Sequence, residues 1–285
     1  MYLEGNQANI TNSIISTINS IFETLFSSLD NSIYETLDDL AFIDTNILNN
    51  STFEKIFGVN SSNGILLIAN SLLIAFVIYY GIKLLYSYYM NIQIERPYQF
   101  VFKTLIFAIA LNCSYFICSQ FLNINSLLSS SIRSIGENIL NTNISFSELI
   151  NRLNSIISIE SSSFNIFSFD GLIKSFISIG LFNLIFSYAL RYILLKVFIL
   201  ITPFAILTLI NNSTSWFFKS WFKCFLSLLL IQSFVSIILL IIFSLDYNSS
   251  NILSKLMYVG GMYALIRANS YIRQLIRRTF YRYIY

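Results

Sequence analysis

The chain has 285 residues, of which 55% are hydrophobic and 16% aromatic, while only 11% are charged and the formal net charge is +3. A soluble domain carries roughly 25% charged residues, so this composition, with a mean hydropathy of +0.68, excludes an ordinary cytosolic protein. There is no histidine, and Cys113, Cys118 and Cys224 all lie in apolar runs. The base of a catalytic triad and the usual zinc and haem ligands are missing, and the sequence predicts neither enzyme, metal nor cofactor.

Residues 1–63 read as an amphipathic helical region outside the membrane. Apolar residues recur every three or four positions at Ile10, Ile14, Ile18, Ile21, Leu25, Leu29, Ile33, Leu37 and Leu40, a helical period. The polar face is acidic, since Glu4, Glu23, Asp30, Glu35, Asp38, Asp39, Asp44 and Glu54 oppose Lys55 alone. Without a basic start or a long apolar core, no cleavable signal peptide is expected.

Residues 64–121 contain two predicted spans. Gly64 to Tyr89 is apolar for about 39 Å of helix, with Lys83 near one end, and Phe100 to Phe121 follows a short connection containing Glu95, Arg96 and Pro97. On one helix Cys113 and Cys118 would lie about 140° apart, too far around the axis to bridge. Residues 122–171 change to Ser, Asn and Ile with scattered charges. They are too polar to cross a bilayer and predict a large extracytoplasmic loop with surface helices.

Residues 172–272 hold three further predicted spans. Leu172 to Ile210 is too long for one perpendicular helix. Two readings stay open: a helix to about Ile201, broken at Pro203 before a re-entrant or interfacial piece, or two spans meeting near Arg191. Trp216 to Lys223 has the aromatic and basic character of a membrane interface, making 202–223 a cytoplasmic elbow. Cys224 to Leu245 is a strong span, and Leu256 to Ile266 a weaker one between Lys255 and Arg267. Residues 273–285 form a basic tail. The predicted fold is an all-α polytopic membrane protein with about five transmembrane helices plus a re-entrant or interfacial segment.

With the N-terminus outside and five crossings, twelve of the seventeen Lys and Arg residues fall inside and thirteen of the fourteen acids outside, Glu95 being the exception. Positive-inside asymmetry therefore favours an odd number of spans in a bacterial inner membrane, with a cytoplasmic C-terminus.

The candidate functional residues are polar groups in apolar surroundings. Asn112 and Ser119 lie seven apart and Gln232 and Ser236 four apart, so each pair shares a helix face, turned either to a wet lumen or to neighbouring helices. Arg191 and Lys196 either line a path for phosphates or snorkel to headgroups. Arg273 with Arg277 and Arg278 with Arg282 form two i,i+4 stripes suited to anionic lipid and, less so, to DNA.

The stretch Tyr188-Ala-Leu-Arg-Tyr through Leu200-Ile-Thr-Pro-Phe-Ala, then Ser215-Trp-Phe-Phe-Lys-Ser-Trp-Phe-Lys and the span containing Gln232, resembles the TrbL-type polytopic subunit of type IV secretion systems, the family of the sixth VirB component. The resemblance covers Tyr188 to Leu240, and the topology extends it to 64–285. It implies a channel or scaffold subunit of a conjugation machine, oligomerising as a ring, working beside an ATPase and other subunits, and touching translocated DNA transiently. Under that resemblance Arg191, Pro203, Trp216, Lys219, Trp221 and Lys223 form a candidate docking elbow for the ATPase or another partner. The alternative is a small-solute permease, for which internal repeats are expected.

Overall fold

The computed structural model describes residues 13–18, 20–21, 31–59, 63–91, 93, 95–156, 169–245 and 252–281. Among these the regular elements are helical throughout, with no strand. They are α1 (Asn31–Ala41), a 3-10 turn (Thr45–Ile47), α2 (Ser51–Phe57), α3 (Ile65–Met90), α4 (Pro97–Asn112), α5 (Ser114–Leu140), α6 (Phe146–Ile156), α7 (Phe169–Leu207), α8 (Ser215–Ser244) and α9 (Ile252–Tyr281). The expected N-terminal periodicity rests partly on Ile10, Leu25 and Leu29, which lie outside the described residues, as do Glu4, Glu23, Asp30 and Arg282.

The chain divides into two compact units, one of residues 1–42, 128–190 and 231–274, the other of 43–127, 191–230 and 275–285. In the first, α1 packs on α6 through Leu37 and Ala41 on one side and Phe146, Leu149 and Ile150 on the other, all buried. Ser145 caps the start of α6, its hydroxyl accepting the Glu148 amide at 3.1 Å. Helix α9 buries Tyr258, Met262, Leu265, Ala268 and Ile272, spaced along one helical face. Two glycines let it come close: a Cβ at Gly261 would meet Ile242, and one at Gly180 would meet Ile266 and Met262.

In the second unit α3 and α4 form an antiparallel hairpin. Tyr80 stacks on Phe100 with centroids 3.6 Å apart and donates its hydroxyl to the Glu95 carbonyl at 2.6 Å. Ala69, Phe100 and Leu111 of this hairpin share a core cluster with Ile206, Leu207 and Ile210. The 3-10 turn and α2 bury Ile47, Leu48, Phe53 and Phe57, with Phe57 edge-on to Tyr115. The entry to α3 is tight: Gly58 closes α2 at φ +97°, and a Cβ at Gly64 would lie 2.5 Å from the Gly58 Cα.

Among the described residues, three helices are long and apolar enough to cross a membrane, namely α3, α7 over Gly171–Leu207, and α8, with a fourth if α4 and α5, bent by 60°, count as one broken span. The chain is thus an all-α polytopic membrane protein. Helix α9 does not reach that apolarity, because Arg267, Arg273, Arg277 and Arg278 interrupt it.

The second predicted span is divided. Its helix stops at Asn112 and restarts at Ser114, which places Cys113 in the break, with Cys118 buried beyond it; both are free thiols. The loop predicted over 122–171 is helical to Leu140 and again over α6. Between the two readings of Leu172–Ile210, a single helix runs through to Leu207 with Pro203 inside it. Proline supplies no amide to the Ile199 carbonyl four residues back, and the helix continues only one further turn beyond it, to Leu207.

Candidate functional site

The predicted elbow is a helical hairpin. The turn from Thr208 to Thr214 is stitched by its own side chains: Thr214 donates to the Thr208 carbonyl at 2.8 Å, Asn211 accepts the Ser213 amide at 3.2 Å, and Ser215 donates to Asn212 at 2.9 Å. Lys103 of α4 reaches the same turn, its ammonium 2.9 Å from the Asn212 side-chain oxygen.

Arg191 sits close to the middle of α7 and is 1% exposed, among the largest fully buried side chains. It does not snorkel. Its Nε donates to the Leu228 carbonyl of α8 at 2.9 Å, so a cation that is costly at membrane depth is met by a backbone dipole of the facing helix. Nine residues before the α7 end, the Phe198 carbonyl accepts both the Thr202 hydroxyl at 3.1 Å and the Trp221 indole N–H at 3.0 Å. Because the single Thr202 proton is used there, the Cys118 thiol 3.2 Å away donates to the Thr202 oxygen. Lys196 lies over the rings of Tyr192 and Phe53, at 4.8 and 5.7 Å from their centroids. Its charge faces aromatic π-clouds.

The six elbow residues therefore separate. Arg191, Pro203 and Trp221 are buried, Trp221 stacked on Phe225 at 5.3 Å. Trp216 is 66% exposed, Lys219 is exposed and Lys223 half-buried; at i, i+3 and i+7 they share the outward face of α8. Only this second group has the geometry of a docking or interfacial surface, because Trp221 is committed to the hairpin core.

The intramembrane polar pairs resolve into helix-to-helix bonds. Asn112 exchanges amide hydrogen bonds with Asn70 of α3 at 3.1 and 3.3 Å. Ser119 lies across the 60° break, so it no longer shares a helix with Asn112. Ser236 is fully buried, donates to the Gln232 carbonyl at 3.1 Å and accepts from Ser129 of α5 at 2.6 Å. Gln232 is 2% exposed. Of the basic stripes, Arg273, Arg277 and Arg278 fall on the α9 backbone.

Two arrangements carry no local sequence signal. Asn269 of α9 donates to Ser187 of α7. Asp38 of α1 caps α6, accepting the Phe146 amide at 2.8 Å and the Ser147 amide at 3.3 Å. Burial pushes the Asp38 carboxyl above its usual range, opposed by those two amides and by the Arg133 charge. Arg133 itself lies over the Phe42 ring at 4.3 Å.

No protein-family model matches the chain, and comparisons with curated proteins and with solved structures give no match.

Proposed function

We propose that the chain is an integral channel or scaffold subunit of a bacterial type IV secretion apparatus for conjugative transfer, placed in the inner membrane with its N-terminus outside and its C-terminus in the cytoplasm. The observation that supports this reading is the hairpin of α7 and α8. Of the residues resembling the TrbL-type pattern, 191–230 lie in one compact unit, with the arginine inside and pinned to the facing helix, the proline within the helix, and Trp216, Lys219 and Lys223 outside. Such a hairpin serves as a rigid member of an assembly, and its outward aromatic-basic face suits an ATPase or other inner-membrane partner.

An in-frame deletion of the gene tests the assignment. Transfer of the mobile element should fall below detection and return on complementation with the wild-type chain, while Trp216→Ala with Lys219→Glu should lower partner co-purification at normal membrane level. Undiminished transfer by the deletion strain refutes the assignment. Loss of uptake of one small solute in that strain would point to a permease.

A further inference from the structure

We infer that the outward face of α9 around Arg267 is a docking surface for one membrane-spanning helix of another polypeptide, a helix that carries an aspartate or glutamate within the bilayer.

The neighbours of α9 set its depth. A Cβ at Gly180 of α7 would meet Ile266 and Met262 of α9, and Asn269 of α9 donates to Ser187 of α7. The two helices therefore run side by side in the same direction, and Arg267 lies level with residues 180–187. That stretch belongs to a helix apolar enough to span, and no charge interrupts it between Lys174 and Arg191. Ile179, Phe182 and Phe186 turn outward there, 63, 36 and 72% exposed, as side chains against lipid do. Toward α8, a Cβ at Gly261 would collide with Ile242, two residues inside the end of a second spanning helix. Arg267 thus sits at the depth of hydrocarbon. Its guanidinium is folded onto α9 itself, Nε donating to the Tyr263 hydroxyl at 3.0 Å and Cζ lying 5.5 Å from the Tyr263 ring centroid. Since Tyr263 follows directly on Met262, the charge is held at the level of Gly180, inside the apolar stretch.

Gly260, Tyr263, Arg267, Tyr271 and Gln274 are all exposed and fall within an arc of about 80° on α9, opposite the buried face of Tyr258, Met262, Leu265, Ala268 and Ile272. A cation at this depth is costly and is normally turned into a bundle, where an opposite charge or a dipole meets it. Here the bundle of this chain lies behind α9, and Arg267 points away from it. The chain also has no carboxylate to send: α3, α4, α8 and α9 contain no Asp or Glu, and α7 has only Asp170 at its outer start. The single acid of α5, Glu137, accepts the Ile144 amide at the connection to α6. A second copy of this chain would therefore bring further cations to Arg267 and no counter-charge, so charge complementarity selects a different polypeptide. The flanking tyrosines suit such a contact, since Tyr and Arg supply the anchors of binding surfaces. At Gly260 an added Cβ would meet nothing within 4 Å, which leaves room for a second backbone to approach closely.

The test uses the full chain in its own cell membranes, with photoreactive benzoylphenylalanine in place of Tyr271 or Gln274 on the proposed face, and of Ile179 or Phe186 on the lipid-facing surface of α7. Illumination should join the first two positions to one polypeptide at least tenfold more efficiently than the last two. Mass spectrometry of the adduct should place the cross-link in a spanning helix that contains Asp or Glu. Arg267→Gln should lower the yield at least fivefold and Arg267→Lys should preserve it, while Arg267→Glu should recover it once the partner's carboxylate is exchanged for lysine. Equal yields at all four positions, cross-links to a second copy of this chain, a partner helix without an acid, or a yield unchanged by Arg267→Gln would each overturn the proposal. If Arg267→Gln fails to accumulate, neutralising the partner's carboxylate makes the same comparison with this chain intact, and an unchanged yield there overturns the proposal as well.

Discussion

Removing the carboxylate of Asp38 should release α6 from α1 with a sign of pH dependence that distinguishes a cap from an ordinary ion pair. Asp38→Ala leaves the Phe146 and Ser147 amides, now held at 2.8 and 3.3 Å, without their acceptor. A lost N-cap costs about 1 kcal/mol, and a buried donor left unsatisfied about 1–3 kcal/mol, so local opening of α6 should become easier by about 2–4 kcal/mol. Asp38→Asn keeps a carbonyl acceptor and removes the charge, and should cost about 1 kcal/mol or less. The wild-type carboxyl is raised by burial. A raised acid binds its proton more tightly folded than unfolded, so its contribution is fully present below the ordinary value of 3.8 and is lost as pH climbs through the folded-state value. Hydrogen exchange of the α6 amides in detergent or nanodiscs, corrected for intrinsic rates, should show wild-type protection declining as pH rises through that window, with Asp38→Asn flat. Protection that grows with pH across it, or an Asp38→Ala variant indistinguishable from wild type, refutes the reasoning.

Gly64→Ala should destabilise the α2–α3 junction by more than 1 kcal/mol, because the new Cβ meets Gly58 backbone at 2.5 Å. Gly81→Ala, where nothing lies within 4 Å, should be neutral or slightly stabilising through helix propensity; thermal unfolding in detergent compares the two. A double-mutant cycle on Ser129→Ala and Ser236→Ala should give a coupling of about 0.6 kcal/mol, and a value near zero would show that the pair does not hold the helices. Trp221→Phe should lower stability by about 1 kcal/mol through loss of the bond to Phe198, measured by the same unfolding, whereas Trp216→Phe should leave it unchanged. A cysteine introduced at Ser213 in a cysteine-free chain should resist an impermeant maleimide in intact cells; ready labelling there would reverse the proposed orientation.

What was readable in the sequence was whatever depends on apolarity alone. Gly64 to Tyr89 announces α3 to within one residue at each end, and Cys224 to Leu245 announces α8 to within one residue at its end and nine at its start, because a bilayer needs about 20 apolar residues whatever they later pack against. Pro203 foretold that α7 ends nearby but misled on where, since the helix runs one turn past the proline before it stops at Leu207. Residues 122–140 misled differently. Their Ser and Asn residues look like a loop to hydropathy, yet Ser129 is consumed by Ser236 inside the bundle, a partner 107 residues away. Asp38 is likewise indistinguishable from its neighbour Asp39 until α6 arrives from 108 residues downstream. The periodicity that predicted surface helices in 122–171 was the local signal of α6 that the sequence offered. Arg191 was legible as unusual, but whether it snorkels or turns inward is decided by the Leu228 carbonyl, which no spacing rule foretells.

The bond from Arg191 to Leu228 bears on how the protein is made. An arginine near the centre of a helix costs about 2.5–3.5 kcal/mol at the insertion machinery, and when α7 first emerges the carbonyl that later receives it has not been synthesised. Only after 37 more residues does Leu228 leave the ribosome, so α7 is best released to lipid together with α8 rather than ahead of it. The seven-residue turn between them is short enough for the two to enter as one hairpin. A ribosome stalled just before Leu228 should therefore hold α7 within reach of the translocon, and one stalled beyond Ser244 should let both go.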